Sequence, residues 1–208
     1  SGTTPLLHLV AGISAVDVGC VTTCGQELSS LRDAARRDFR IANVGLVFQD
    51  FALLDYLSVL DNVLLPYRIS PALQLDASVR ERAEGLAASL GIVGLLSRKP
   101  TELSQGERQR VAVCRAVIAR PKLLLADEPT ANLDPRNATR VLDALQDYAH
   151  EQHATLVVVS HDRETIERFE ESVDVSSFSA KSHREETETV GAESSHRGTN
   201  RGEVRPDA

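Results

Sequence analysis

In the stretch Lys122–Asp134, KLLLADEPTANLD, four apolar residues lead directly into two adjacent acids, Asp127 and Glu128. Apolar runs of this kind are buried, and a buried carboxylate is costly unless something pairs with it. An Asp followed by a Glu suits phosphoryl transfer. The first can hold Mg²⁺, which neutralises phosphate charge, and the second can polarise an attacking water. A strand end turning into solvent would also carry two acids, so the pair alone leaves both readings open. A second candidate group is Ser160-His161-Asp162, which follows the apolar run Ala154–Val159. A third is Leu103-Ser104-Gln105-Gly106-Glu107, followed by RQRVAVCRAVIARP. Ser104 and Glu107 have the S-x-x-E spacing of a capping box. Gly106, at the second helical position, is costly for a helix. It makes sense where a phosphate approaches the backbone N–H groups at the positive end of the helix dipole.

These residues need a frame that brings them together. Asn43–Phe48 reads as a strand. Lys122–Asp127 and Ala154–Ser160 are apolar on both faces, as strands of a covered parallel sheet are. Between the last two, Asp134 fits an N-cap and Pro135 the first helical position. Val141, Leu142, Leu145 and Tyr148 then form an apolar stripe at helical spacing. Strand, helix, strand gives a right-handed crossover, and ligands of such sheets bind beyond the carboxyl ends of the strands. Asp127, Glu128 and His161 therefore meet on one rim if their strands are neighbours. The fold class is α/β. From Ser58 to Ala119 only helical patterns occur: one helix starts at Ser58 and is stopped by Pro66, and a second runs from Val79 to Leu90, ended by Gly91. They form a helical lobe, about residues 55–105, inserted into the α/β core.

The 208 residues are 42% apolar, enough for one domain with a full core. No apolar run reaches the ~18 residues needed to span a membrane, and no signal peptide is visible. A net charge of −7, from 23 basic against 30 acidic residues, argues against a nucleic-acid partner. Cys20, Cys24 and Cys114 lack zinc-ligand spacing and read as reduced structural thiols of a cytosolic protein. From Ser176 to Ala208 the chain is polar and charged, and it reads as a disordered tail. The domain thus spans residues 1–175.

The segment LSQGERQRVAVCRAVIARPKLLLADEPTANLD resembles the signature motif, Walker B strand and D-loop of an ABC-type ATPase. VFQDF resembles the Q-loop around Gln49, and VVVSHD the switch around His161. The chain looks most like the lipoprotein-releasing and macrolide-export subfamily. The resemblance implies a P-loop NTPase core and the cofactors ATP and Mg²⁺. It implies that Asp127 holds the metal, that Glu128 is the general base, and that Gln49 senses metal and γ-phosphate. His161 would contact the γ-phosphate. Ser104, Gln105, Gly106 and Glu107 would face the nucleotide of an opposite subunit, and Asp134 would organise that interface. The partners implied are a second nucleotide-binding domain, identical or not, and a transmembrane permease subunit. The location implied is peripheral, on the cytoplasmic face of the inner membrane. Phe51, Leu53, Leu54, Tyr56 and Leu57 offer either a permease contact or core packing.

The sequence departs from the family pattern at its start. The phosphate loop should read G-x-x-x-x-G-K-[ST]. In SGTTPLLHLVAG, Gly2 aligns with the last glycine, Thr3 with the lysine and Thr4 with the Mg²⁺-binding hydroxyl. A threonine brings no positive charge to phosphate. The two strands and the adenine-stacking aromatic that the resemblance places before this loop are not in the sequence. The expectation is a truncated or artefactual start rather than a long-inactive copy, and impaired ATP binding either way. Two rival readings are an inactive scaffold that dimerises with an active partner and a non-transport ABC ATPase.

Overall fold

The computed structural model describes residues 3–175. Gly2, the side chain of Thr3 and the polar tail from Ser176 lie outside the described residues. Helix α1, Thr3–Val10, leads into a short antiparallel hairpin of β1, Thr22–Thr23, and β2, Gln26–Glu27. Its two-residue turn is Cys24-Gly25, both at positive φ (48° and 78°), the combination that matches strand twist. Helix α2, Asp33–Asn43, then delivers the chain to β3, Val44–Val47.

The next segment is helical throughout: α3 (Val59–Val63), α4 (Leu65–Ile69), α5 (Ala77–Ser89) and 3₁₀ turns at Val93–Leu95 and Pro100–Glu102. Ser58 caps α3 by accepting from the Asp61 N–H, and Asp76 caps α5 by accepting from the Val79 N–H. Gly91, φ 67°, follows the end of α5. Pro66 does not act as a stop. The first helix already ends at Val63, and Pro66 sits in the first turn of α4, where its missing N–H has no intrahelical partner to lose.

Helix α6, Gln105–Val117, returns to the sheet; β4 (Leu123–Asp127), α7 (Pro135–Glu151), β5 (Thr155–Val159) and the short α8 (Arg163–Ile166) follow. The three strands β3, β4 and β5 are parallel and lie in that order. Val47 pairs with Ala126, Ala126 with Val158, and Asp127 with Val159. The strands therefore end level with one another.

Side chains of β4 alternate between two cores, as the period of a strand requires. Leu124 and Ala126 pack with Val113, Ala116, Val141 and Leu145 on one face. Leu123 and Leu125 pack with Leu7 and Ala11 on the other. Leu124 and Leu125 are fully buried, each contributing about 1.5–3 kcal/mol of apolar transfer. A third core, built on Val59, Val63, Val79, Ala83 and Ile92, joins the helical segment to Val111, Cys114 and Ile118 of α6. β5 differs from the sequence expectation of a strand covered on both faces. Thr155 and Val157 are exposed and the other three residues only half-buried: Leu156 and Val158 pack with the α7 core, while on the opposite face Val159 alone of β5 packs with a core.

Gly45 lets α6 approach β3. A Cβ there would lie 2.4 Å from the Ala116 carbonyl oxygen and 2.5 Å from Leu124 Cδ2. Gly45→Ala should therefore cost about 3 kcal/mol or more, read as a lower urea midpoint. The thiols give a second check. Cys20 and Cys24 are exposed, whereas Cys114 is buried, which pushes its pKa up to about 12. Ellman's reagent at pH 8 should modify two thiols in the folded chain and the third only after unfolding.

Candidate functional site

The level strand ends carry the rim. Gln49 lies just past β3, Asp127 ends β4 with Glu128 next, and Ser160-His161 follow β5. Helix α1 reaches the same rim, where Thr4 Oγ1 donates to Asp127 Oδ2 at 2.8 Å across 123 positions of sequence. Thr4, His8, Gln49, Asp127, Gln105 and Arg108 line one open cleft of about 710 Å³. A hydroxyl and a carboxylate in contact are hard oxygen donors, the kind that suit Mg²⁺.

Glu128 turns the chain out of the sheet with φ 47°, a left-handed conformation that costs a non-glycine residue about 1–2 kcal/mol. Its N–H donates to the Val159 carbonyl at 2.9 Å, so β5 holds the turn. Its side chain is only 17% exposed. Ser160 Oγ donates to Oε2 at 3.4 Å, and His161 Nε2 lies 3.7 Å from Oε1. Oε1 is buried and has no hydrogen-bond partner among the described residues, which leaves it open as an acceptor. His161 itself is largely exposed. Behind it, Asp162 caps α8, and its carboxyl is held below the usual range by the Thr165 hydroxyl and N–H.

The loop carrying Gln49 is clamped by Arg115 of α6. Its guanidinium donates to the carbonyls of Phe51 and Ala52, two non-glycine residues at positive φ. Burial lowers the Arg115 pKa to about 10 against the opposing pull of Asp50. Asn62, fully buried, braces the same loop by accepting from the Leu54 N–H and donating to the Leu54 and Ser58 carbonyls.

The tip of α6 forms a second group. Ser104 Oγ and its N–H both donate to Glu107 Oε2 at 2.8 Å, and the Glu107 N–H donates back to Ser104 Oγ. The Ser104 N–H, then its hydroxyl, hold the Glu107 carboxyl below the usual range. Gly106 has a structural cause in addition to any ligand. A Cβ there would come 3.0 Å from Asn137 Cγ. Asn137 accepts from Arg110 at 2.6 Å, and it donates through its N–H and side chain to Asp134, the N-cap of α7. These bonds lower the Asp134 pKa.

The structure thus assembles Thr4, Gln49, Asp127, Glu128 and His161 on one rim. It links Ser104, Gly106 and Glu107 to Asp134 at a separate tip, while Gln105 faces the cleft. Among the described residues no hydrogen bond joins the two sets directly. Gln109, only 1% exposed, provides an indirect link by donating at 2.6 Å to the carbonyl of Pro129, next to Glu128. The sequence analysis did not single out Gln109, Asn137 or Arg115. The available signal for Gln109 was its spacing, which sets it on the same face as Val113 and Ala116.

A parallel sheet with a hydroxyl-bearing helix start bonded to a strand-end acid, and a helical segment between its strands, fits a P-loop NTPase fold. The chain belongs to the ABC transporter family, whose profile matches residues 1–131. The ABC transporter ATP-binding protein YxdL of Bacillus subtilis is 40% identical over 162 residues, 78% of this chain and 62% of that protein. This chain therefore spans less than two thirds of that relative. The lipoprotein-releasing system ATP-binding protein LolD 2 of Caulobacter vibrioides is 42% identical over 79% of this chain and 71% of its own length. Among solved structures, the dimeric ATP-binding cassette MJ0796 bound to ADP and Pi superposes with a TM-score of 0.72 at 30% identity. That match covers 79% of this chain and 72% of that one.

Thr4→Val removes the hydroxyl that Asp127 accepts from. In this partly exposed site it should cost about 1 kcal/mol, read from urea unfolding without nucleotide. The same loss should not add to that of Asp127→Asn in the double variant.

Proposed function

We propose that this chain is the ATP-binding subunit of an exporter, that it pairs head to tail with a second such domain around ATP, and that it drives a separate permease. The observation that carries this reading is the Thr4–Asp127 hydrogen bond beside Glu128 and His161. It sets the hydroxyl and the acid that the family pattern assigns to the metal against each other, at the rim where ligands of parallel sheets bind. Thr4 and Asp127, with Gln49, fit Mg²⁺, which when bound supplies charge neutralisation on the β- and γ-phosphates.

The Glu128 carboxylate is the proton acceptor. As the water oxygen bonds to the γ-phosphorus and the bond to the β–γ bridging oxygen breaks, the water proton passes to this carboxylate. His161, exposed beside it, contacts the γ-phosphate. Ser104, Gln105, Gly106 and Glu107 present a helix N-terminus to the nucleotide held by the opposite copy, and Asp134 braces that face through Asn137. The family pattern assigns Gly2 and Thr3 to nucleotide binding. The helical segment forms a lobe of the same domain, about residues 55–105. The permease contact falls on the loop after Gln49, where Tyr56 is 73% exposed, and on the adjoining groove of about 220 Å³ between Phe48, Leu65, Pro66 and Ile69. Leu53 belongs instead to the helical core. No helix among the described residues is long and apolar enough to cross a membrane; the subunit sits peripherally on the cytoplasmic face of the inner membrane.

Thr3 stands where the family carries its phosphate-binding lysine. Isothermal titration should find Mg-ATP binding by the natural chain weaker than about 100 μM, and Thr3→Lys should tighten it at least tenfold, about 1.4 kcal/mol. Micromolar binding by the natural chain would contradict this account of Thr3.

A further inference from the structure

Gln109 is a buried polar side chain that the proposed chemistry does not use. It lies in the middle of α6 at 1% exposure, among Val111, Ala112 and Val113. Its Nε2 donates at 2.6 Å to the Pro129 carbonyl, 20 positions away. Its Oε1 has no partner among the described residues. The orientation of the amide follows from chemistry, since only the nitrogen can donate to a carbonyl. One of this side chain's two polar atoms is therefore buried unused, and an apolar side chain of the same size would avoid that cost. The unpaired Oε1 does not account for a glutamine here.

The bonded carbonyl indicates what does. Pro129 has no N–H, so its carbonyl is the one backbone polar group through which the protein can grip this residue. The preceding residue, Glu128, sits at φ 47°. Such a conformation persists only where its surroundings over-determine it. On one side the Glu128 N–H is held by the Val159 carbonyl of β5, and the Glu128 carbonyl accepts from the Ala131 N–H at 3.1 Å. On the other side the grip is Gln109. Releasing it frees the Glu128–Pro129 turn to rotate, and with it the aim of the carboxylate toward Ser160 and His161.

We infer that Gln109 is a positioning residue for Glu128, tying the helix whose tip carries Ser104 and Gly106 to the turn that aims the carboxylate. The catalytic side of this inference rests on the reading of Glu128 as the general base; the mechanical side does not. Gln109→Met, near in volume and unable to donate, separates the two. In the full chain without nucleotide, hydrogen exchange read by mass spectrometry should speed up at least tenfold over Thr130–Leu133. The melting temperature should stay within about 2 °C. Val113→Ala, a cavity on the same helix, should lower the melting temperature without this local change. Unchanged exchange in Gln109→Met, or acceleration spread over the whole sheet, would overturn the inference. In a Thr3→Lys background, Gln109→Met should lower kcat about tenfold with KM unchanged; an unchanged kcat would overturn its catalytic half. If the Thr3→Lys parent shows no turnover, the ATPase reading fails, while the exchange result still decides the mechanical link.

Discussion

Helix α6 is buried along nearly its whole length, and most of what surrounds it depends on that. Val113, Ala116 and Val117 press on the sheet while Val111 and Cys114, with Ile118 just beyond the helix, press on the helical lobe. A helix packed on two sides cannot rotate or slide without breaking two cores, because interiors are packed too densely to yield gradually. Its polar side chains are thereby fixed in space as well. Arg115 fixes the loop after Gln49, Gln109 the turn after Glu128, and Arg110 the start of α7. Only the exposed tip at Ser104 and Gln105 stands clear. One rigid rod thus sets the relative positions of three loops that carry the candidate chemistry.

The rim itself follows from strand registration. Since β3, β4 and β5 end level, three loops leave the sheet at one height, and the level pairing of Asp127 with Val159 brings Ser160 alongside Glu128. The two acids posed by the sequence then have different surroundings. Asp127 is satisfied by a hydroxyl from another helix, whereas Glu128 keeps one oxygen buried without a hydrogen-bond partner among the described residues. That asymmetry suits a ligand-holding role for the first and a proton-accepting role for the second.

Much of this was legible in the sequence, for reasons that can be named. Strand cores are continuous apolar runs, and caps have their own chemistry: Ser58, Ser104 and Asp134 each accept the N–H that their spacing indicated. Pro66 was misread because a proline is tolerated at a helix start as readily as it ends one. The edge position of β5 was invisible, since an apolar strand has the same composition whether or not a neighbour covers it. Helix α2 and the β1–β2 hairpin gave too short a signal: α2 has no fully buried residue, and each strand of the hairpin is two residues long. The helix α1 start was legible only through the family resemblance, which assigned Thr4 and Asp127 each to Mg²⁺. Gln109 and Asn137 escaped because their roles arise from tertiary contacts between segments far apart in sequence.

β5 has a further consequence, for handling the protein. Its outer edge presents unpaired amide and carbonyl groups along Thr155–Val159, and among the described residues no strand occupies that side. The strand carries no lysine, proline or bulge to repel a neighbour, and Val157 is 39% exposed. Edges of this kind recruit further strands. That edge is therefore a route to self-association at high concentration wherever nothing covers it.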